Sequence, residues 1–423
     1  MANKFATKFG VVMAAAGSAV GLGNVWRFPY LAGQNGGGAF LLIYLVCILF
    51  VGMPIVLSEF VIGRRSGQNA LEAMRTLSGS HRWDWLGIMC VVCGILFISF
   101  YIVIAGWCVR YLSLSIFHAA LPDIANTLIA LALNVGIIWF GVEKGIERIS
   151  TLLMPLLLII LLMLVIRSLT LPGSGEGLKF LFTPDFSKIT PSVFMAAISQ
   201  AFFTLSIGLG CMLTYAAYMK KNQNLIATAT QVVGIDTLVA IVAGIAIFPA
   251  VFSLGFSPAE GPQLVFSVLP AVFAEMPGGS IFMVLFYILL LIAAITSSIS
   301  MQEVAVAYFD EQRHMPRRKA ILLTTGIIIV LSVLCTISCN SSINLCGRSL
   351  FDWFDYLTSK FMMPIGGLAF AIYLGWFYPL KDTREELQQG SNLKPWFWHT
   401  FLWTIRIIVP IAILAIFING LLA

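Results

Sequence analysis

The segment AAAGSAVGLGNVWRFP, residues 14–29, decides how this chain folds. It begins like the interior of a membrane helix, but Gly17, Gly21 and Gly23 then fall within seven positions and Asn24 follows. Because a glycine inside a helix costs roughly 1 kcal/mol relative to alanine, this spacing predicts an interruption. In a bilayer an interruption is viable only where the freed backbone groups are buried in protein or line a watered cavity. We therefore predict an interrupted membrane helix whose free N–H and C=O groups serve as ligands.

A second copy of this pattern lies in the other half of the chain. Residues 204–210 read TLSIGLG, so that Ile207-Gly208-Leu209-Gly210 repeats Val20-Gly21-Leu22-Gly23. Two glycine-interrupted apolar segments at corresponding positions in two halves indicate the binding site of a transporter. The alternative interpretation is that both segments are small-residue packing faces of intact helices.

The composition places the whole chain in a membrane. Of its 423 residues, 59% are hydrophobic and only 10% are charged, and the mean hydropathy is +0.95. A soluble domain carries about 25% charged residues. We predict an all-α, polytopic membrane protein with eleven transmembrane helices. They cover roughly residues 9–31, 38–62, 84–116, 124–141, 147–167, 190–219, 223–254, 278–310, 318–338, 348–377 and 396–421.

The eleven spans predict a single transporter domain (1–423) made of two repeats and one extra helix. Repeat one covers about 9–167, repeat two about 190–377, and the extra helix about 396–421. Since each repeat has an odd number of spans, the second is inverted relative to the first, which brings the two broken helices together near the membrane midplane. Most loop Lys and Arg residues fall on the side of the N-terminus, which predicts a cytoplasmic N-terminus and an external C-terminus.

The sequence offers no support for an enzyme, a transition-metal site or a nucleic-acid partner. It contains no nucleophile elbow, phosphate-binding loop or paired catalytic carboxylates, and its four histidines lie at loops or helix ends. Cys90 and Cys93 form a C-x-x-C pair inside an apolar run, where they are interpreted as small buried hydrophobes. The net charge of +6 follows from the basic loops.

Several motifs together resemble the neurotransmitter:sodium symporter family over nearly the whole chain. They are GSAVGLGNVWRFPY at 17–30, NGGGAF at 35–40, KGIER at 144–148, FTPDF at 182–186, SQAFFTLSIGLGCMLTYAAY at 199–218 and TSSIS at 296–300. The resemblance implies a LeuT-like 5+5 inverted repeat with helices 1 and 6 unwound at mid-membrane. It also implies a site for one amino acid and two co-transported Na⁺ ions.

Family positions can be carried over residue by residue. The resemblance implies a first sodium site of Ala19, Asn24, Thr204 and Asp236. It implies a second sodium site of Gly17, Val20, Ala293, Thr296 and Ser297. The implied substrate-binding residues are Ser18, Ala19, Leu22, Gly23, Phe97, Tyr101, Phe203, Thr204, Ser206, Leu209, Ser297, Ser300 and Met301.

The expected substrate is a neutral amino acid. The family's monoamine carriers have an aspartate where this chain has Gly21, so a substrate with its own carboxylate is expected here. That carboxylate would meet the positive helix end at Leu22 and Gly23, with the Tyr101 hydroxyl as a further donor. No charged residue faces the expected side-chain pocket, so an apolar or aromatic side chain fits and a charged one would be stranded at large cost.

Asp236 suggests that chloride is not required. Many family members carry a neutral residue near this position and need chloride, whereas an ionisable group inside a membrane helix indicates a functional site. Tyr44, Gln200 and Thr204 match the chloride-site neighbours of the family. Our hypothesis is that the Asp236 carboxylate takes the place of chloride and also ligates sodium.

The resemblance also implies two gates. The external gate pairs Arg27 with Asp355, Asp352 being a nearby competitor, and Tyr101 and Phe203 form a lid over the substrate. Glu59 is expected to bind the unwound backbone of helix 6. At the internal gate the usual arginine is replaced by Ala2, so that Lys4 is left to pair with Glu311, and Tyr218 matches the family tyrosine of this network.

These observations predict a sodium-coupled symporter of a neutral amino acid in a bacterial cytoplasmic membrane, working by alternating access. Helices 1, 2, 6 and 7 would move against helices 3, 4, 8 and 9. The partners expected are the amino acid and the lipid bilayer, and a monomer is compatible with the missing twelfth span of the family. Two alternatives remain open at this point: a proton-coupled or exchange carrier of the same fold, and a sensor that binds without transporting.

Overall fold

The computed structural model describes residues 4–253, 255–258, 264–312, 314–340 and 347–422. Throughout these ranges the regular structure is helical, and the β-type pairing described there is one isolated bridge between Gly37 and Pro184. The prediction of an all-α chain is confirmed.

The first half contains a bent helix pair, three long helices and three shorter ones. They are α1 (Lys8–Ala19), α2 (Gly23–Gln34), α3 (Gly38–Ser66), α4 (Ala70–Ser78), α5 (His81–Phe117), α6 (Asp123–Trp139), α7 (Val142–Leu169) and α8 (Ser174–Phe182).

The second half repeats the scheme of a broken helix followed by long helices. Its elements are α9 (Pro191–Thr204), α10 (Cys211–Ala217), α11 (Leu225–Ser253), α12 (Leu269–Glu275), α13 (Gly279–Gln312), α14 (Arg317–Asn340), α15 (Leu350–Phe377), α16 (Leu380–Gln388) and α17, which runs from Pro395–Trp403 through a π-helical turn into Val409–Leu422.

All eleven predicted segments fall on helices, although not all are long enough to span a bilayer alone. Among the described residues, eight helices are long and apolar enough, and the bent pair α1–α2 makes nine. The remaining two predicted spans correspond to α6, with 17 residues, and to α9, with 14 residues before its break. The number of crossings, eleven, stays a prediction.

Both predicted interruptions are present. The axes of α1 and α2 differ by 47°, and residues 20–22 lie between the two helices. The second break lies between α9 and α10, where Gly208 and Gly210 have φ of 81° and 78°. Ser206 in the same turn has φ of 51°, a left-handed conformation that is uncommon for a residue other than glycine. Backbone strain of this kind clusters at functional sites.

The long helices divide into two packed groups that meet at the breaks. The helices α5 and α13 lie along each other, and α6 and α14 pack beside them. The helix α10 packs on α3, and α1 packs on α11. Because α1 also contacts α13, the break after Ala19 lies at the boundary between the two groups.

Candidate ion and substrate site

The backbone carbonyls freed at the end of α1 face the middle of α13. The Ser297 hydroxyl donates to the carbonyl oxygens of Gly17 and Val20, each at 3.3 Å. Thr296 lies against Gly17, where an added Cβ would be 3.3 Å from the Thr296 Cβ, and its hydroxyl donates to the Ala293 carbonyl at 3.2 Å. The structure therefore brings all five residues of the expected second sodium site together, while their role as ion ligands stays a prediction.

The expected first sodium site is centred on the buried side chain of Asp236 in α11. Asn24 donates from Nδ2 to Asp236 Oδ1 at 2.8 Å and to the Asp236 carbonyl at 2.9 Å. The Thr204 hydroxyl donates to the same Oδ1 at 2.9 Å. Ala19, the fourth member, is buried at the last position of α1. Residues from both broken helices thus converge on one carboxylate.

Three buried polar atoms around Asp236 have no hydrogen-bond partner of good geometry within the described part of the chain. They are Asp236 Oδ2, the Tyr44 hydroxyl and Gln200 Oε1. Tyr44 faces Asp236 and Thr204, while the other end of the Gln200 amide donates to the Gly23 carbonyl at 2.7 Å. Because buried polar atoms are normally paired, the unpaired Asp236 carboxylate oxygen fits a bound cation.

The break just ahead of α2 has two bonded backbone N–H groups, one of which faces α5. The Leu22 N–H donates to the Tyr101 hydroxyl at 3.1 Å, and the Gly21 N–H donates to Asn24 Oδ1 at 2.9 Å. A Cβ on Gly21 would collide with the Ser297 Oγ and would lie 2.7 Å from the Tyr101 hydroxyl. An aspartate side chain at this position would therefore displace both neighbours.

Buried side chains from both broken helices surround the space beside these N–H groups. The Phe97 ring lies 5.4 Å from that of Phe203 and 5.7 Å from that of Tyr101, measured between centroids. Ser18 donates to the Ser300 hydroxyl at 2.7 Å. The Ser18 carbonyl accepts from the Ser206 hydroxyl at 2.9 Å. Leu209 and Met301 are also buried, and the assignment of all these residues to a substrate pocket stays a prediction.

The break between α9 and α10 is held by a carboxylate. Glu59 accepts from the Gly208 N–H at 2.7 Å and from the Leu213 N–H at 3.3 Å. Gly208 also packs so closely on the Met363 carbonyl that no side chain fits there. The expected contact between Glu59 and the unwound backbone is confirmed.

A model of the "sodium:neurotransmitter symporter family" matches residues 2–126 and 120–423. The chain belongs to this family. Its sodium-dependent relatives include an uncharacterized transporter of Bacillus subtilis (strain 168), 40% identical over 98% of this chain and 97% of that protein. An uncharacterized sodium-dependent transporter of Methanocaldococcus jannaschii is 29% identical over 98% of this chain and 89% of that protein.

Solved structures agree with the family assignment. The crystal structure of MhsT in complex with L-phenylalanine is 41% identical, covers 99% of both chains and has a TM-score of 0.90. The chain therefore has the LeuT-like fold and is a multi-pass membrane protein of a sodium-dependent symporter family. This is a family of transporters, not of enzymes.

At the expected external gate of the symporter, Arg27 and Asp355 have other partners. Arg27 donates to the Ser199 hydroxyl at 3.0 Å and to the Ser199 carbonyl at 3.2 Å, and its guanidinium lies 4.4 Å from the Phe203 ring centroid. Asp355 accepts from the Ser359 hydroxyl at 2.8 Å. No ion pair joins the two residues in the described ranges, so their pairing stays a prediction, whereas Arg27 does cover the Phe203 lid.

The expected internal gate is also arranged differently. Glu311 accepts from the N–H of Asn69 at 2.6 Å and from its Nδ2 at 2.9 Å, and the described residues show no ion pair between Glu311 and Lys4. Asn69, the N-terminal cap residue of α4, therefore binds the Glu311 carboxylate through both its backbone N–H and its side-chain amide.

The structure adds a second internal network that the sequence analysis missed. Arg317 forms a bidentate ion pair with Glu303, with distances of 2.8 and 2.7 Å, and Tyr218 donates to the same carboxylate at 2.8 Å. An acidic residue inside the apolar run of α13 was the available signal for this site.

The segment ahead of α1 is fastened at the same end of the molecule. Glu147 accepts from the Ala6 N–H at 2.7 Å and from the Thr7 N–H and hydroxyl at 3.0 and 2.7 Å. Phe5 is buried against Tyr218, whose carbonyl accepts from the Phe5 N–H at 3.2 Å. Glu147 belongs to the KGIER motif, but the motif does not indicate that this carboxylate binds the N-terminal segment.

Proposed function

We propose that this chain imports a neutral α-amino acid together with two Na⁺ ions by alternating access and without a need for chloride. The observation that carries the proposal is the break after Ala19. There, Gly17 and Val20 turn their carbonyls toward Ser297 of α13, and Leu22 turns its N–H toward Tyr101 of α5. One short stretch of backbone thus offers acceptors for a cation and a donor for an anion.

The two ions have distinct places in this proposal. The second ion joins α1 to α13 through the Gly17, Val20 and Ser297 oxygens. It therefore favours the conformation in which α1 is in contact with α13. The first ion lies between Asn24, Thr204 and Asp236, next to the start of α2. The substrate carboxylate would complete its coordination there, so each ligand would favour binding of the other.

The shape and charge of the site support a neutral amino acid. The surrounding side chains include Phe97, Phe203 and Met301, and a charged side chain among them would lack a partner. Gly21 carries no side-chain carboxylate, so the substrate would supply its own. MhsT, which shares 41% of its residues with this chain, was solved in complex with L-phenylalanine, and we propose the same class of substrate here.

Chloride independence follows from Asp236. Its carboxylate lies among Tyr44, Gln200 and Thr204 and, among the described residues, leaves Oδ2 without a hydrogen-bond partner of good geometry. The negative charge that other members take from chloride is therefore supplied by the chain, which also provides a further ligand for the first ion.

Uptake into proteoliposomes tests the transport proposal. We expect radiolabelled phenylalanine or leucine to accumulate under an inward Na⁺ gradient and not under a matched K⁺ gradient. Equal uptake in both gradients, with acceleration by a pH gradient, would instead identify a proton-coupled carrier. Substrate binding without counterflow would identify a sensor.

A chloride substitution tests the role of Asp236 separately. We expect wild-type uptake to persist when gluconate replaces chloride. We expect Asp236→Ser to lose uptake in gluconate and to recover part of it in chloride, since the anion can then supply the missing charge. Strict chloride dependence of the wild-type chain would contradict this part of the proposal.

A further inference from the structure

Arg406 is a charged residue inside an apolar membrane helix, far along the chain from the transport site. It lies in α17, eleven residues after Pro395 and therefore about 16 Å along the helix. An arginine within a membrane helix is costly, so it normally has a partner or a function.

The stem and one N–H of Arg406 are bound by the end of α15. Arg406 Nε donates to the Gly375 carbonyl at 2.6 Å, and a Cβ on Gly375 would lie 3.1 Å from Arg406 Cγ. Gly375 therefore allows the arginine stem to lie flat across α15. Both helices contain a π-helical turn at this contact, Tyr373–Phe377 in α15 and Thr404–Ile408 in α17. Such turns inside helices are frequent at functional sites.

The guanidinium of Arg406 faces an aromatic ring. Its Cζ atom lies 5.3 Å from the centre of the Trp376 ring, and within the described ranges no carboxylate is at salt-bridge distance. Arg64, which is buried, and Arg317, which is half-buried, differ in this respect, because they pair with Glu386 and Glu303. The backbone carbonyl of Gly375 satisfies the Nε–H and leaves the two amino groups of the fork for another acceptor.

The surroundings of Arg406 are those of a membrane–water interface. Trp376, Phe377 and Trp403 are 62%, 66% and 64% exposed, and tryptophan is enriched at the headgroup level. Gly375 lies two residues before the end of α15, about 3 Å along the axis. Because side chains on a helix point toward its N-terminus, the Arg406 side chain extends toward the end of α17 that begins at Pro395.

We propose that Arg406 and Trp376 form a binding site for the phosphodiester group of an anionic glycerophospholipid. The planar fork of an arginine matches phosphate oxygens, and the exposed tryptophans flank the position of the glycerol and upper acyl chains. The connection from Tyr378 to Lys394, which contains α16, joins the two helices on the side that the basic-loop asymmetry predicts to be cytoplasmic. Anionic lipids are preferred over zwitterionic ones because their headgroup carries no ammonium to repel the guanidinium.

Native mass spectrometry of the purified full-length chain tests this site. The chain is titrated in detergent with dioleoyl phosphatidylglycerol or dioleoyl phosphatidylcholine, and the bound lipids are counted. We expect a preference for phosphatidylglycerol that falls about fivefold in Arg406→Gln, the effect of one basic residue near a membrane surface. We expect Arg406→Lys to retain most of the preference.

Two further variants and one competition experiment accompany this titration. Arg384→Gln removes an equal charge from the exposed face of α16 and should leave the preference unchanged. Trp376→Leu keeps the arginine and should weaken lipid retention. Inorganic phosphate at millimolar concentration should not displace the lipid.

The proposal is overturned if wild type and Arg406→Gln bind phosphatidylglycerol equally. It is also overturned if Arg406→Gln converts a dimer to a monomer without changing lipid binding, which would assign the surface to a second copy of the chain. Sodium-dependent binding of radiolabelled phenylalanine verifies that each variant is folded.

Discussion

The break in α1–α2 and the break in α9–α10 differ in length and in what holds them. Residues 20–22 form the first break, and its polar groups meet neutral side chains, such as the hydroxyls of Ser297 and Tyr101. Residues 205–210 form the second, and its N–H groups at Gly208 meet the carboxylate of Glu59. Hydrogen bonds to a charged group contribute about twice as much as neutral ones. The first break can therefore exchange its protein partners for ligands, whereas the second is fixed to α3.

The largest expected effect comes from releasing the second break. Glu59→Gln removes the charge that binds Gly208 and Leu213, and hydrogen bonds to charged groups contribute about 1.5–3 kcal/mol each. We expect sodium-driven uptake to fall at least about 100-fold on these magnitudes, together with a lower Tm. Glu72→Gln, on the short helix α4, is the control and should transport normally. Full uptake by Glu59→Gln would show that the second break needs no anchor.

Crowding the first break should have the next largest effect. Gly21→Ala places a methyl group against the Ser297 Oγ and the Tyr101 hydroxyl. Overpacking costs about 1–3 kcal/mol, so we expect about 30-fold weaker substrate binding, measured by scintillation proximity. Gly234→Ala is the matched control because nothing lies within 4 Å of its added Cβ. Unchanged binding by Gly21→Ala would contradict the view that this backbone is a ligand.

Removing one neutral partner of the first break should weaken the affinity for sodium more than the affinity for substrate. Ser297→Ala deletes the hydroxyl that contacts the Gly17 and Val20 carbonyls, and we expect about tenfold weaker apparent Na⁺ affinity in substrate-binding assays. Ser253→Ala removes a hydroxyl that bonds only within its own helix in the described structure, at 2.8 Å from the Ala250 carbonyl, and should be silent. A normal sodium titration of Ser297→Ala would remove the second ion from this position.

The smallest expected effect concerns the Leu22 N–H of the first break, the proposed donor for the substrate carboxylate. Tyr101→Phe keeps the ring but leaves the Leu22 N–H without its hydroxyl partner, and we expect about fivefold weaker substrate affinity with little change for sodium. Tyr287→Phe provides the control, since the Tyr287 hydroxyl has no hydrogen-bond partner in the part of the chain described. If both variants bind alike, Tyr101 contributes only its ring.

Sequence reasoning located the breaks because glycine spacing inside an apolar span is a local property. It also identified Glu59, since a carboxylate in such a span needs nearby N–H groups. The internal network could not be assigned from the sequence because it depends on distance in three dimensions. Asn69 reaches Glu311 from the connection between α3 and α4, and Arg317 reaches Glu303 from the next helix. The π-helical turn at Arg406 could not be predicted either, because the residues that form it, Thr404–Ile408, show no distinctive sequence pattern.

The fastening of the N-terminal segment has a practical consequence for labelling. Phe5, Ala6 and Thr7 are each bound through their backbone, to Tyr218 or Glu147. A fluorophore or affinity tag joined directly ahead of Phe5 would compete with these contacts and bias the population of conformers. A flexible spacer before Phe5 avoids this interference. A probe placed on the exposed side chain of Lys8 would then report whether the segment detaches during the cycle.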